Sequence, residues 1–274
     1  MNLKIPKLYL LLFFVGILPA QDSFNHQPFD SLLQTFVDDQ GLVDYQAIKN
    51  QHSLLGKYLE ILEEVDPVKF ESWSKAEKMA FWINAYNAIT IEGIVRHYPI
   101  EYGNLVFRVR FPKNSIRQIG GFWDKVFIKV MGKEMTLNQI EHEILRGKFK
   151  DPRIHAVLVC AANGCPLLEN RAYLPETLES RLNQANKNFI NNFNKVQLDQ
   201  DMNILYLSSI FDWYQEDYPD SPEEEDRLVN YPSKSRGVIE FIMKYLSQDQ
   251  QNYILNNTPQ IKYLDYDWTL NEQP

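Results

Sequence analysis

The chain of 274 residues is 45% hydrophobic and 13% aromatic, and its formal net charge is −8 at pH 7. So much apolar surface excludes a disordered chain and is enough to bury a sizeable core. The acidic balance argues against nucleic acid and anionic membranes as the main partners, because both are negatively charged themselves. Only two cysteines are present, which is too few for a disulfide-stapled scaffold.

The first residues have the pattern of a secretory signal peptide. Lys4 and Lys7 give a basic start, and residues 8–18 form an apolar stretch. A membrane-spanning helix needs about 20 apolar residues, so we expect no stable membrane anchor once the signal is removed. The sequence therefore predicts a signal peptide over residues 1–20, a single domain over residues 21–274, and an extracytoplasmic location, either periplasmic or secreted.

Apolar positions at helical spacing predict helices along most of the chain. The longest is predicted over residues 74–98, where Ser74 and Glu77 have the spacing of a capping box. It is apolar on nearly every face, which is typical of a buried central helix. Further helices are predicted over residues 28–37, 47–63, 136–146, 176–194, 235–246 and 248–256.

Asn84 and Asn87 are two amides inside this otherwise apolar helix. They are three residues apart and so share a helix face. Each would cost about 1–3 kcal/mol if it were buried without a hydrogen-bond partner. Two roles are open for them: they fix neighbouring backbone, or they line a substrate-binding site.

The strand pattern predicts an α+β fold. Hairpins are expected over residues 127–136 and 196–207, and alternating aromatic and acidic residues predict an edge strand over 261–268. Residues 154–162 lack charge and polar alternation, which is typical of a strand buried on both faces. We therefore expect a single helix-rich domain packed around a small mixed or antiparallel sheet, with residues 154–162 as its central strand.

Cys165 lies directly after that predicted strand, in the sequence Asn163-Gly164-Cys165-Pro166. Asn-Gly favours a tight turn, and Pro166 suits the first turn of a helix. This arrangement would place the thiol near a helix N-terminus, where it is stabilised as a thiolate. The alternative is a structural cysteine, which a disulfide to Cys160 would also explain.

A cysteine-dependent hydrolase or acyltransferase needs a base for its nucleophile. His155 begins the predicted strand, whose ends would lie about 23 Å apart at 3.3 Å per residue, so direct contact with Cys165 would require the strand to end early. His142, in the predicted helix 136–146, is free of that limit and is slightly favoured. Glu141 points about 100° away from its neighbour, so we expect it to pair with another group such as His155.

The competing hypothesis is a non-catalytic binding or structural domain. In that case the two asparagines, Glu141, His142 and His155 would form a buried polar network, and Cys165 would be structural. A metal site from the two histidines and Glu141 matches no familiar ligand spacing, so neither a metal nor another cofactor is expected. The expected partner is a small molecule or a peptide.

Several ordered motifs resemble the family known as domain of unknown function 547. They are Phe-Trp-Ile-Asn-Ala-Tyr-Asn-Ala at 81–88, Ile-Glu-His at 140–142 with Leu-Arg at 145–146, the stretch 155–166, Ser-Ser-Ile-Phe-Asp-Trp-Tyr at 208–214, and Tyr-Asp-Trp-Thr-Leu-Asn at 266–271. The resemblance implies that the candidate site residues lie in signature stretches of the family: Asn84, Asn87, Glu141, His142, His155 and Cys165. It also implies a fold related to papain-like or transglutaminase-like thiol enzymes.

Overall fold

The computed structural model describes residues 24–221 and 227–274, so the predicted signal peptide over residues 1–20 lies outside the described residues. Helices dominate the regular structure and two small sheets complete it, which confirms the predicted α+β class. The α-helices are Gln27–Phe36 (α1), Tyr45–Asn50 (α2), Ser53–Glu63 (α3), Pro67–Glu71 (α4), Lys75–His97 (α5), Leu105–Arg110 (α6), Leu178–Ile190 (α7), Ser209–Trp213 (α8), Ser233–Met243 (α9) and Gln248–Asn257 (α10).

Tighter and wider helical turns occur between these α-helices. A π-helix, Gln139–Phe149, replaces the α-helix predicted over residues 136–146. It follows a reciprocal pair of hydrogen bonds between Thr136 and Gln139. Such wide turns are frequent at functional sites. The 3₁₀-helices are Ile116–Gln118, Phe122–Asp124, Pro152–Ala156 and Gln215–Asp217.

Helix α5 is the buried central helix that the sequence predicts. The Ser74 hydroxyl accepts from the N–H of Glu77, and the Glu77 carboxylate accepts from the N–H of Ser74, so the capping box is present. Every side chain from Met79 to Val95 is buried. Helices α2, α3 and the π-helix pack against α5. Burying each large apolar side chain stabilises the fold by about 1.5–3 kcal/mol, so α5 organises the core.

The helix predicted over residues 47–63 is divided into α2 and α3. The break lies at Gln51, whose φ of −126° and ψ of 51° leave the helical region. The side chain of the next residue, His52, is thereby directed to Glu92 of α5, with 2.6 Å between Nε2 and Oε2. A continuous helix cannot make this turn. The apolar spacing is helical on both sides of Gln51, so the sequence pattern does not predict the break.

The two sheets are small, and the larger is mixed. The strands are Val126–Val130 (β1), Lys133–Thr136 (β2), Val196–Asp199 (β3), Ile204–Ser208 (β4) and Gln260–Leu264 (β5). Strands β1 and β2 form one antiparallel hairpin, and β3 and β4 form the other. Strand β5 pairs in parallel with β4 at the edge of the three-stranded sheet. Both predicted hairpins are confirmed. The edge strand predicted over residues 261–268 is present but shorter, because β5 ends at Leu264 and residues 265–268 are irregular.

The predicted central strand over residues 154–162 is wrong. The structure has the 3₁₀-helix Pro152–Ala156 there, followed by an irregular buried segment. The Asn87 side chain takes the place of a neighbouring strand. Its amide donates to the carbonyl of Val157 (3.0 Å), and its oxygen accepts from the N–H of Val159 (3.0 Å). An uncharged apolar run indicates burial, and burial alone does not fix the backbone conformation.

The segment after β5 crosses the molecule and ties distant parts of the chain together. Its Asn271 is buried, donates to the carbonyl of Gly41 (3.1 Å), and accepts from the hydroxyl of Tyr45 (2.7 Å). Earlier in the same segment, the carbonyl of Asp267 accepts from the N–H of Gly164 (2.8 Å). The segment is therefore held against both the first helices and the loop that carries Cys165.

Candidate functional site

A cavity of about 200 Å³ brings together four of the predicted site residues. Cys165, His142, His155 and Glu141 all line it. The argument that separated His155 from Cys165 assumed a straight strand between them, and that strand is absent. The structure thus places the predicted nucleophile, both candidate bases and the neighbouring carboxylate around one space.

The two asparagines of α5 do not line this cavity. Asn84 donates to the carbonyl of Tyr173 (2.7 Å) and accepts from the N–H of the same residue (2.9 Å). Asn87 holds Val157 and Val159 in the same two-point manner. Of the two roles that the sequence left open, these contacts correspond to fixing the backbone rather than to binding a substrate.

Cys165 and Cys160 are joined by a disulfide, with their Cα atoms 6.2 Å apart. The chain turns back after Cys160 at Ala161, whose φ of 58° lies in the left-handed region that non-glycine residues seldom adopt. The N–H of Cys165 then donates to the carbonyl of Ala162 (2.9 Å). The disulfide that the sequence left as an alternative is present, so Cys165 is a free thiol only after reduction.

Two donors point at the sulfur of Cys165. They are the backbone N–H of Cys160 (3.0 Å) and the hydroxyl of Tyr266 (3.1 Å). Gly164 makes room for this tyrosine, because a Cβ there would lie 2.6 Å from the ring of Tyr266. The helix expected directly after Pro166 is absent, since the chain is irregular until α7. These two donors replace the helix dipole as the groups able to stabilise a thiolate.

His155 is held by a buried ion-pair network. Its Nε2 lies 2.7 Å from Oδ2 of Asp217, and its ring stacks on Tyr214 with 4.1 Å between ring centroids. Burial would raise the pKa of Asp217, but hydrogen bonds from His155 and Arg146 lower this pKa to about 2. The carboxylate is therefore ionised at neutral pH, and it fixes the histidine ring while Nδ1 has no hydrogen-bond partner among residues 24–221 and 227–274.

His142 is held differently. It is exposed, and its Nδ1 accepts from Nη1 of Arg146 (2.6 Å). The same arginine reaches Oδ2 of Asp217 through Nε (2.5 Å) and Oε1 of Glu216 through Nη2 (2.6 Å). Because a guanidinium only donates, this nitrogen of His142 must be an unprotonated acceptor. Over residues 24–221 and 227–274, His155 pairs with a carboxylate and His142 does not.

Glu141 is a buried carboxylate held by two tyrosines. Its Oε2 accepts from the hydroxyl of Tyr86 (2.9 Å) and its Oε1 from that of Tyr214 (2.6 Å). The predicted pairing with His155 is not observed, although Tyr214 contacts both residues. Burial, together with the charge of Glu141, raises the pKa of Tyr86, Tyr214 and Tyr266. All three hydroxyls therefore stay protonated and remain donors.

Sequence reasoning missed the role of Asp217. It lies in a markedly acidic stretch, and nothing in its pattern separates it from its neighbours. Its position three residues after Tyr214, at the end of the motif 208–214, was the one available signal. Tyr266 was part of a recognised motif, but no local pattern could connect it to Cys165, 101 residues away.

Aromatic rings form much of the remaining cavity wall. Trp123, Trp213 and Trp268 all line the cavity, and the rings of Trp213 and Trp268 stack with 5.8 Å between their centroids. Apolar walls with a few fixed polar groups are typical of small-molecule and peptide sites. The cavity thus combines the Cys160–Cys165 disulfide with a largely aromatic wall.

Over residues 24–221 and 227–274, no three side chains of His, Cys, Asp and Glu are placed to hold a metal ion together. Within the same ranges, no helix has both the length and the apolar character needed to cross a membrane. The expectations that the protein uses no metal or cofactor remain predictions.

Comparison with known proteins gives one match. The family model described as "Protein of unknown function, DUF547" matches residues 70–190. No curated protein and no solved structure matches the chain, so the expected likeness to papain-like or transglutaminase-like enzymes remains a prediction. The matched span contains α5, the π-helix and the loop that carries Cys165, whereas Asp217 and Tyr266 lie beyond it. Over residues 70–190 the chain is therefore similar to the DUF547 family of proteins of unknown function.

Proposed function

We propose that the protein, in its reduced form, is a cysteine-dependent hydrolase or acyltransferase with Cys165 as nucleophile and His155 as general base. One observation carries the proposal: Cys165 lines the same cavity as His155, and Asp217 holds His155 by a 2.7 Å hydrogen bond. A nucleophile, a base and a group that orients the base are the three parts that thiol catalysis requires.

Reduction is the first step. An external dithiol is oxidised to its disulfide, and Cys160 and Cys165 become free thiols. Cys165 is the better nucleophile of the two, because its sulfur also accepts a hydrogen bond from the Cys160 N–H, whereas the Tyr266 hydroxyl lies near both sulfurs, 3.1 Å from Cys165 and 3.2 Å from Cys160. Both donors favour the charged form and thus lower the pKa of the thiol.

His155 then transfers the protons. It takes the proton of Cys165, and the thiolate attacks the carbonyl carbon of an amide or ester. The protonated imidazole returns its proton to the departing amine or alcohol, which leaves an acyl group bound to sulfur as a thioester. Water, or an acceptor amine or alcohol, is deprotonated by His155 and attacks the thioester, and the thiolate leaves. The ionised Asp217 stabilises the imidazolium during these steps.

We infer an extracytoplasmic location and a small molecule or a peptide as the substrate. The predicted signal peptide supports the location, and the Cys160–Cys165 disulfide agrees with it because such bonds persist in oxidising compartments. The aromatic cavity, which suits an organic ligand, supports the substrate class.

The alternative is a binding or structural domain without catalysis. The specific observation in its favour is the disulfide itself, which makes Cys165 unreactive as long as it is intact. In this case the carboxylate of Glu141, with its two tyrosine donors, would serve to rigidify the cavity.

Alkylation of a single thiol separates the two functions. The variant Cys160→Ser leaves Cys165 as the sole thiol, because the chain has only two cysteines. We expect its alkylation by iodoacetamide to titrate with a midpoint below about 8.5, the ordinary thiol pKa. The matched variant Cys165→Ser, which retains Cys160, should titrate near the ordinary value.

A second readout addresses catalysis directly. Reduced protein mixed with p-nitrophenyl acetate should release p-nitrophenol in a burst stoichiometric with protein as the acyl-enzyme forms. The variants Cys165→Ser and His155→Gln should show no burst. An ordinary midpoint for Cys165 together with no burst would overturn the enzymatic proposal and support the binding domain.

A further inference from the structure

Arg117 lies at the cavity in an unusual position. It belongs to the 3₁₀-helix Ile116–Gln118 and lines the cavity that contains Cys165. Its guanidinium carbon is 4.8 Å from the ring centroid of Phe111, 5.0 Å from that of Trp268 and 5.7 Å from that of Trp123. Three aromatic rings therefore pack around one partly buried cation.

This guanidinium has no acidic partner. Across residues 24–221 and 227–274, no carboxylate forms an ion pair with Arg117 and no acceptor takes a hydrogen bond from its side chain. By contrast, three other partly buried arginines are paired with carboxylates: Arg146 with Asp217, Arg153 with Asp151 and Arg181 with Glu169. Burial lowers the pKa of Arg117, and the neighbouring charge of Arg110 lowers it further. A partly desolvated cation without a counter-charge is unfavourable, and a bound anion would relieve it.

The N–H groups of the Arg117 guanidinium are its unused donors among the described residues. Aromatic rings pack over a guanidinium through its faces, whereas its N–H groups lie in its plane. Those in-plane N–H groups match the two oxygens of a carboxylate. The aromatic side chains hold the plane in place, so little conformational entropy remains to be lost on binding.

The charge around the cavity favours an anion with a single charge. The exposed Arg108 and Arg110 lie near in sequence on α6, a local positive patch on a chain whose net charge is −8. Such a patch draws anions towards the cavity. However, Glu141 lines the same cavity and would repel a dianion such as a phosphate monoester. One unpaired arginine balances one negative charge, which a carboxylate supplies.

We propose that Arg117 binds a free carboxylate of the substrate, which makes the substrate a peptide or other acyl compound with a carboxylate near the bond that Cys165 attacks. This inference rests on the proposed thiol chemistry for its reaction. Binding of a carboxylate by Arg117 does not itself require a reactive thiol. The carboxylate site and the thiol chemistry can therefore be tested separately.

The first test compares two alkylating agents in the Cys160→Ser background. Iodoacetate carries a carboxylate and iodoacetamide does not. In each case the thiolate of Cys165 displaces iodide and keeps the carbon group. We expect Arg117→Gln to lower the ratio of the iodoacetate rate to the iodoacetamide rate about tenfold, the effect of losing a charge-assisted hydrogen bond. Arg117→Lys should keep part of the preference, because the charge remains.

Arg108→Gln is the matched control. It removes one positive charge from the same part of the chain, and its guanidinium packs on Tyr102 away from the cavity lining. Its ratio should stay within about twofold of the parent. An unchanged ratio in Arg117→Gln, with Cys165 still reacting readily with iodoacetamide, would overturn the carboxylate site and leave the thiol chemistry standing.

A second test needs no thiol reaction. Tryptophan fluorescence of the oxidised protein is titrated with N-acetylglycylglycine and with its C-terminal amide, since Trp123 and Trp268 contact Arg117. We expect the carboxylate to bind about tenfold more tightly than the amide, and Arg117→Gln to remove the difference. Equal affinities in the parent protein would refute the site even if Cys165 were inert.

Discussion

Replacing Asp217 by Asn tests the network behind the cavity most directly. Asp217 receives hydrogen bonds from His155 and from two nitrogens of Arg146, and its side chain is 21% exposed. Its pKa falls from an ordinary 3.8 to about 2, a difference worth about 2 kcal/mol in favour of the folded state. We therefore expect Asp217→Asn to lower the free energy of unfolding at pH 7 by about 2 kcal/mol.

The same shift gives this loss a defined pH dependence. Because the pKa of Asp217 is lower in the folded state than in the unfolded state, its stabilising effect is complete above about pH 4. It is lost as the pH falls through the folded value of about 2. The difference in unfolding free energy between the parent and Asp217→Asn should thus be constant from pH 7 to about pH 5 and shrink between about pH 4 and pH 2.

Urea unfolding of both proteins across this range measures the difference, since effects of other acids are common to both. The control is Glu216→Gln, which also removes a carboxylate from Arg146 but from a side chain that is 78% exposed. Exposed ion pairs contribute about 0–1 kcal/mol, so its effect should be small. If the unfolding free energies of the parent and Asp217→Asn differ by less than about 0.5 kcal/mol, or by an amount independent of pH, then Asp217 does not stabilise the fold through its ion pairs. In Asp217→Asn, the rate of the p-nitrophenol burst from p-nitrophenyl acetate should also fall about 10²–10⁴-fold.

Three further variants test other contacts. Gly164→Ala should destabilise the protein by about 1–3 kcal/mol, measured by thermal unfolding, because its Cβ would lie 2.6 Å from the ring of Tyr266, whereas Gly120→Ala meets no atom closer than 3.8 Å. Tyr266→Phe keeps the ring but removes a donor from the sulfur, so the alkylation midpoint of Cys165 in the single-thiol background should rise. Asn87→Ala should cost about 2–4 kcal/mol in urea unfolding, since two buried backbone groups lose their partner.

Each of these expectations has a clear contrary result. Equal melting temperatures for the two glycine variants would show that the Tyr266 ring shifts without cost. An unchanged midpoint in Tyr266→Phe would mean that its hydroxyl does not act on the thiolate. A loss below about 0.5 kcal/mol for Asn87→Ala would show that water or another side chain replaces the amide.

Local features of the fold were predictable because their causes are local. The capping box of α5 and the two hairpins depend on residues within a few positions of one another. The strand expected over residues 154–162 failed because its backbone partners come from the Asn87 side chain, 72 positions from Val159. An apolar run does not show whether its backbone N–H and C=O groups will be paired in a strand, in a helix or by a side-chain amide.

The candidate site was predictable in part for the same reason. The sequence singled out Cys165, His155, His142 and Glu141, and all four line one cavity. It slightly favoured His142 as the base, whereas the contact that favours His155 comes from Asp217, which is 62 positions from His155. Polar residues of unusual type or setting are visible in a sequence, whereas the groups that orient them are set by the tertiary fold.

The segment after β5 has a consequence for how the chain matures. Tyr266 and Trp268 complete the cavity, and Asn271 fastens their segment to Gly41 and Tyr45. These contacts close very long loops, which form late because of their entropic cost. During synthesis, a chain that ends before residue 266 can form α5 but has neither the second donor to Cys165 nor the Trp268 wall. Thiol reactivity and ligand binding should therefore emerge in the last stage of folding, after the helical core is in place.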